Sequence, residues 1–137
     1  MKLNIVTLAT IAVGALLFYR QAVGMPWTLN RIVGLSIALP ALVLLVFARF
    51  QLGRAFSISA KASILVTSGV YSRIRNPIYV FGSFIFLGLI IWIGNPWLLL
   101  IFAILIPMQV VRSRNEAKAL EAKFGEAYRA YRRKTWF

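Results

Sequence analysis

The chain has 137 residues, 61% of them apolar, and a formal net charge of +13 from 16 Lys and Arg against 3 acids. It has no His, Cys or Asp, and its only acidic side chains are Glu116, Glu121 and Glu126. Those absences exclude disulfides, thiolate nucleophiles and thiolate metal sites, together with the commonest general base and metal ligand, so no resident metal is expected. An apolar fraction this far above that of soluble domains, in one domain's length of chain, makes a bilayer the expected solvent. The basic excess would suit nucleic acid on a soluble fold. Beside apolar runs it suits anionic lipid instead, so anionic lipid is an expected partner and nucleic acid is not.

The first apolar run, Leu3 to Tyr19, follows Met1-Lys2 in the manner of a signal segment. Arg20 and Gln21 interrupt it before any small-residue cleavage pattern, which favours an uncleaved anchor. The second run, Ile32 to Phe47, is uncharged and ends at Arg49. The third and fourth, Ile78 to Ile93 and Trp97 to Val111, flank Gly94-Asn95-Pro96. That tripeptide ends one helix and starts another, since Pro suits a first helical turn, and so it predicts a tight helical hairpin. Each run falls a little short of the about 20 residues a full span needs. With flanking residues the expected membrane helices cover roughly 3–21, 31–50, 77–93 and 96–112.

Beyond Arg112 the chain becomes a charged helix. Ala117, Leu120, Phe124, Ala127 or Tyr128, and Tyr131 recur at three- and four-residue spacing and form one apolar stripe. Gly125 is expected to break or kink this segment. Its simplest role is that of an amphipathic helix resting on the cytoplasmic leaflet. The expected fold is therefore all-α. It is a single integral membrane domain over residues 1–137, with two N-terminal membrane helices in 1–50. Residues 51–137 carry the helical hairpin, the surface helices and the chemistry.

The chemistry concentrates where the third run begins, at Arg75-Asn76-Pro77-Ile78-Tyr79. Pro77 fits the first turn, and the N–H groups after it make a positive helix terminus suited to an anion. Arg75 beside that terminus can grip a carboxylate with two parallel hydrogen bonds. Tyr79 and Gly82 lie at i and i+3 on one face, and glycine there lets a flat ligand or another helix approach. A plainer reading is also open: an Arg cluster on lipid phosphates, a helix cap and a packing glycine. Glu116 has a bland reading as an i, i+4 ion pair with Arg112, worth a few tenths of a kcal/mol. Its functional reading is the one carboxylate near the hairpin's mouth, able to hold ribose hydroxyls or an ammonium. Glu121 and Glu126 lie farther along and are expected to be solvated.

Several ordered blocks resemble the isoprenylcysteine carboxyl methyltransferase family. They are Leu52-Gly53-Arg54-Ala55-Phe56-Ser57, Thr67-Ser68-Gly69-Val70-Tyr71 and Arg75-Asn76-Pro77-Ile78-Tyr79-Val80-Phe81-Gly82. In the tail, Glu116-Ala117-Lys118-Ala119-Leu120, Phe124-Gly125, Tyr128 and Tyr131 follow in the same order. The resemblance covers about the last 85 residues. It implies an integral membrane enzyme that uses S-adenosylmethionine in a pocket near the cytoplasmic face, closed by the surface helices. A lipophilic or lipidated acceptor would arrive from the bilayer. It also implies Arg75 and Glu116 as catalytic residues, with Tyr71, Asn76, Pro77, Tyr79, Gly82 and Glu116 binding the cofactor. The chain departs from the family twice: Asn76 stands where a His is familiar, and Ala117 replaces the second Glu of a pair. Asn hydrogen-bonds but is no base.

Those departures bear on the acceptor. A carboxylate is nucleophilic at neutral pH and needs alignment rather than proton removal, whereas an amine must first lose a proton. A chain without His or Asp fits the carboxylate better, with a phospholipid amine as the alternative. Two competitors remain, a small membrane reductase using NADPH and a non-enzymatic cationic protein that binds anionic lipid.

All of the 16 cations except Arg20 and Arg31 fall on one side if both termini share it. The positive-inside rule then puts both termini in the cytoplasm of an inner, cytoplasmic membrane of bacterial type. Reporter fusions check this: Gln21 and Gly94 should report outside and Phe137 inside, and a cytoplasmic signal at Gly94 would overturn the topology.

Overall fold

The structure, a computed structural model, describes residue 16 and residues 19–20, 22–52 and 65–137. Its helices are α1 (Leu29–Leu52), α2 (Pro77–Ile93), α3 (Leu100–Phe124) and α4 (Glu126–Lys134). Short 3₁₀ turns at Gly69–Ser72 and Pro96–Leu99 precede α2 and α3. The fold is all-α. Among the described residues there is no strand, only an isolated parallel bridge between Ile74 and Trp136.

Leu29–Leu52 and Pro96–Phe124 are long and apolar enough to cross a membrane, and Pro77–Ile93 is a shorter apolar helix. The first expected span lies mostly outside the described residues, of which Leu16, Tyr19, Arg20, Ala22 and Val23 are helical. The second extends its expected 31–50 by two residues at each end, and the third has the expected limits. The fourth differs. Instead of ending near Arg112 it runs unbroken to Phe124, because Val111 to Phe124 holds strong helix formers and neither Gly nor Pro. The change from apolar to charged is a change of solvent along one helix.

The α2–α3 turn follows from its residues. Gly94 takes a left-handed conformation (φ 76°) and donates to the Ile90 carbonyl at 3.0 Å, a C-cap that only glycine adopts cheaply. The Asn95 side chain accepts from the Trp97 N–H at 3.1 Å and caps the next turn. Trp27 and Trp97 stand exposed at this end, where interfacial aromatics belong.

α1 meets α2 backbone to backbone. Gly34, Ala38, Ala41 and Ala48 form the buried face of α1. A Cβ on Gly34 would lie 2.5 Å from the Gly88 carbonyl, and one on Gly88 would lie 2.6 Å from the Gly34 carbonyl. Lipid is as apolar as leucine, so membrane helices associate through such close small-residue contacts rather than by escaping water. Farther out, the Arg31 guanidinium sits 5.2 Å from the Trp92 ring centre and ties the helix ends together. α3 keeps a larger distance from α2.

Gly88→Ala should therefore push α1 and α2 apart and cost about 1–3 kcal/mol, read as a lower melting temperature in detergent. Gly82→Ala is the control: its added carbon meets only Leu45, at 3.9 Å, so its melting temperature should hold or rise.

Candidate active site at the mouth of the helical hairpin

Where α2 and α3 begin to separate, side chains bridge them. Tyr79 Oη donates to Glu116 Oε1 at 2.6 Å, Asn76 Nδ2 donates to Ser113 Oγ at 2.8 Å, and Ser83 Oγ donates to Gln109 Oε1 at 3.1 Å. Ser83 also lines an apolar cleft with Phe84, Leu87, Leu99 and Phe102. Arg112 Nε lies 3.4 Å from Glu116 Oε1, with both side chains substantially exposed, so the expected i, i+4 pair is present and weak. The short, half-buried contact to Tyr79 is what fixes Glu116.

Arg75 points elsewhere. Its Nη1 donates to the Arg132 carbonyl at 3.2 Å, one of the last four carbonyls of α4 that have no intrahelical partner. A cation there also suits the negative end of the helix. Thr135 Oγ1 donates to a second of these carbonyls, that of Tyr131, at 2.9 Å. The expected grip on a ligand carboxylate is thus shared with a structural duty that pins α4.

The terminus of α2 is also more occupied than the sequence suggests. The Asn76 N–H donates to the Phe137 carbonyl at 3.0 Å, the Arg75 N–H donates to the Trp136 carbonyl at 3.2 Å, and the Trp136 N–H donates to the Arg73 carbonyl at 3.0 Å. Pro77, fully buried, brings no N–H. The segment 135–137 therefore straps the approach to α2 through main-chain bonds.

Tyr71, Tyr128 and Tyr131 gather under this strap, 5%, 3% and 9% exposed. Tyr131 Oη donates to the Tyr71 carbonyl at 2.8 Å, and the Tyr128 and Tyr131 rings pack 6.1 Å apart. This corrects the expectation for the C-terminal stripe, whose last two aromatics face the protein rather than the leaflet, because the Tyr131 hydroxyl finds a buried acceptor there. Burial is the main reason that the Tyr131 phenol is pushed up to about 12, and it raises Tyr128 too. All three phenols are held in the neutral form, burial being the first cause in each. The Tyr71 hydroxyl is buried and has no hydrogen-bond partner among the described residues.

The structure thus brings Asn76, Tyr79 and Glu116 together, with Tyr71 and Arg75 beside them. Gly82, one turn beyond Tyr79 on α2, is open: a Cβ there would meet only Leu45 of α1, at 3.9 Å. Glu121 and Glu126 keep solvent exposure and pair on the surface: Arg129 reaches Glu121 at 2.8 Å across the break at Gly125, and within α4 Arg129 and Arg133 reach Glu126 at 3.5 and 3.0 Å. Ser113, Ser83, Gln109 and the strap were not singled out from sequence. Ser113 had a weak signal, lying three residues before Glu116.

An all-helical membrane protein with polar side chains collected at the mouth of one hairpin is the class that the fold and the site define. The profile of the family described as phospholipid methyltransferase matches residues 19–127, most of the chain and every site residue from Tyr71 to Glu116. The chain belongs to that family, which makes it a membrane-embedded methyltransferase. The isoprenylcysteine group, a relative of this family, is a finer assignment than the match makes. No curated protein and no solved structure is similar enough to the chain to count as a match.

Tyr131→Phe should leave the buried Tyr71 carbonyl without its donor and cost about 1–3 kcal/mol, measured by thermal unfolding in detergent. An unchanged melting temperature would mean that α4 is held by Arg75 and the strap alone.

Proposed function

We propose that the protein transfers a methyl group from S-adenosylmethionine to the polar head of a membrane lipid, at the mouth between α2 and α3. The observation that carries this reading is the Tyr79–Glu116 contact, which holds a carboxylate in place between two helices joined by side-chain bridges. The residues fit such a cofactor: Glu116 offers acceptor oxygens for ribose hydroxyls, Asn76 and Tyr71 offer hydrogen bonds, and Gly82 leaves open space on α2. When bound, the cofactor supplies an electrophilic methyl on a sulfonium. The protein's part is alignment, since methyl transfer is an in-line displacement governed by geometry.

A lipid amine is the acceptor we favour. The family carries the description of a phospholipid methyltransferase, and a carboxylate among tyrosines complements an ammonium. Arg75, the group best suited to a carboxylate acceptor, spends part of its hydrogen bonding on α4. Carboxyl methylation of a lipidated acceptor is the second reading, favoured by the remaining donors of the Arg75 fork and by the lack of a His or Asp base.

Calorimetry on detergent-purified protein should show S-adenosylmethionine binding that S-adenosylhomocysteine displaces, and tight NADPH binding in its place would point to a reductase. Glu116→Gln separates the two acceptors. For an amine, kcat falls by about 10²-fold and recovers in part at higher pH, where more amine is unprotonated. For a carboxylate, kcat holds and cofactor affinity weakens.

A further inference from the structure

The Tyr71 hydroxyl is the one unpartnered buried side-chain atom among the described residues. Buried polar groups are nearly always paired, so such an atom needs an explanation. Packing does not supply one: the ring fills a core with Ala48 and Phe81, and Phe would fill the same space. The hydroxyl is also held in place. The Tyr71 carbonyl accepts from Tyr131 at 2.8 Å, and the adjacent Val70 N–H donates to Gln51 Oε1 on α1 at 2.9 Å. A fixed, enclosed hydroxyl that destabilises the fold is what a ligand contact looks like without its ligand.

Two charges from different helices act on this phenol. Burial pushes it up to about 12, the Arg49 cation of α1 lowers it, and the Glu116 carboxylate of α3 raises it. Arg49 adjoins Ala48, which is fully buried in the same core as Tyr71. Both contacts of Glu116 fall on Oε1. A cation, a neutral hydroxyl and a carboxylate from three elements complement a group that carries opposite charges a few bonds apart.

We propose that the Tyr71 hydroxyl hydrogen-bonds the charged end of a zwitterionic ligand, whose anion faces Arg49 and whose ammonium faces Glu116. This rests on the methyltransferase reading above and adds Arg49 to the site. Two sources share the chemistry, the amino-acid end of the cofactor and the phosphoethanolamine head of a lipid.

Tyr71→Phe tests the proposal by removing one oxygen. Its melting temperature in detergent should hold or rise, while affinity for the zwitterion falls about tenfold or more. Three readouts identify the ligand: the Kd of S-adenosylhomocysteine, the Kd of 5′-methylthioadenosine, which lacks the amino-acid end, and the KM for phosphatidylethanolamine in nanodiscs at saturating cofactor. Weaker S-adenosylhomocysteine with unchanged 5′-methylthioadenosine supports the cofactor's amino-acid end. Unchanged nucleosides with a raised lipid KM and steady kcat support the head group. Arg49→Gln should weaken the same ligand, and Arg49→Lys should retain most of the affinity and serve if the first variant fails to fold. A Tyr71→Phe protein that melts lower and matches wild type in all three readouts overturns the proposal, because the hydroxyl is then structural. Equal weakening of both nucleosides overturns it too, placing the contact on the nucleoside. Wild-type protein that binds no S-adenosylhomocysteine defeats the underlying reading itself, an outcome visible before any variant is made.

Discussion

Hydrocarbon offers no hydrogen bonds, and that constraint organises the polar side chains between α2 and α3. Deep in the hairpin, the Ser83 hydroxyl and the Gln109 amide satisfy each other across the gap between α2 and α3. Toward the mouth the pairs become more polar, Asn76 with Ser113 and then Tyr79 with the Glu116 carboxyl group. This ordering gathers the most polar side chains at the mouth, away from the apolar middle of the hairpin. The carboxylate is held by a phenol that supplies a short hydrogen bond without bringing a second charge into the boundary layer.

α2 has two unlike sides. Against α1 it packs through Gly34, Gly88 and a row of alanines at backbone distance, a contact with no freedom to slide without collision. Against α3 it is joined only by side-chain bridges. One helix thus carries a rigid joint and an adjustable one. The site sits on the adjustable side, and the rigid side fixes Tyr79 and Asn76 against the rest of the protein. The strap at 135–137 and the Arg75–Arg132 contact hold the approach to α2 from below, so the segment from Tyr71 to Asn76 is clamped from two directions.

Much of the helical layout could be read from residue order. Asn76-Pro77 and Gly94 set the limits of α2 by local conformational preference alone. The stripe through Leu120, Phe124, Tyr128 and Tyr131 announced a one-sided helix, yet periodicity gives a face and not its partner, and Tyr131 meets a carbonyl rather than lipid. Glu116 and Tyr79 were each legible as candidates. Their 2.6 Å contact was not, because it depends on how far apart α2 and α3 stand. Arg75 was read as a ligand group, and its bond to a main-chain carbonyl has no signature in side-chain spacing. The strap is hidden for the same reason, since its bonds are all main chain. The continuity of α3 past Arg112 turned on helix propensity, a weaker signal than the abrupt change in charge that suggested a boundary.

α3 is one continuous helix whose first half is apolar and whose second half is charged. Glu116 lies 16 residues from Leu100, about 24 Å along the axis. A tilt of a few degrees about the outer end therefore swings Glu116 by an ångström or more, a large fraction of its separation from Tyr79. Helices answer a mismatch with bilayer thickness by tilting. The width of the surrounding membrane thereby bears on the geometry of the mouth: lipid composition acts there as solvent and lever arm at once.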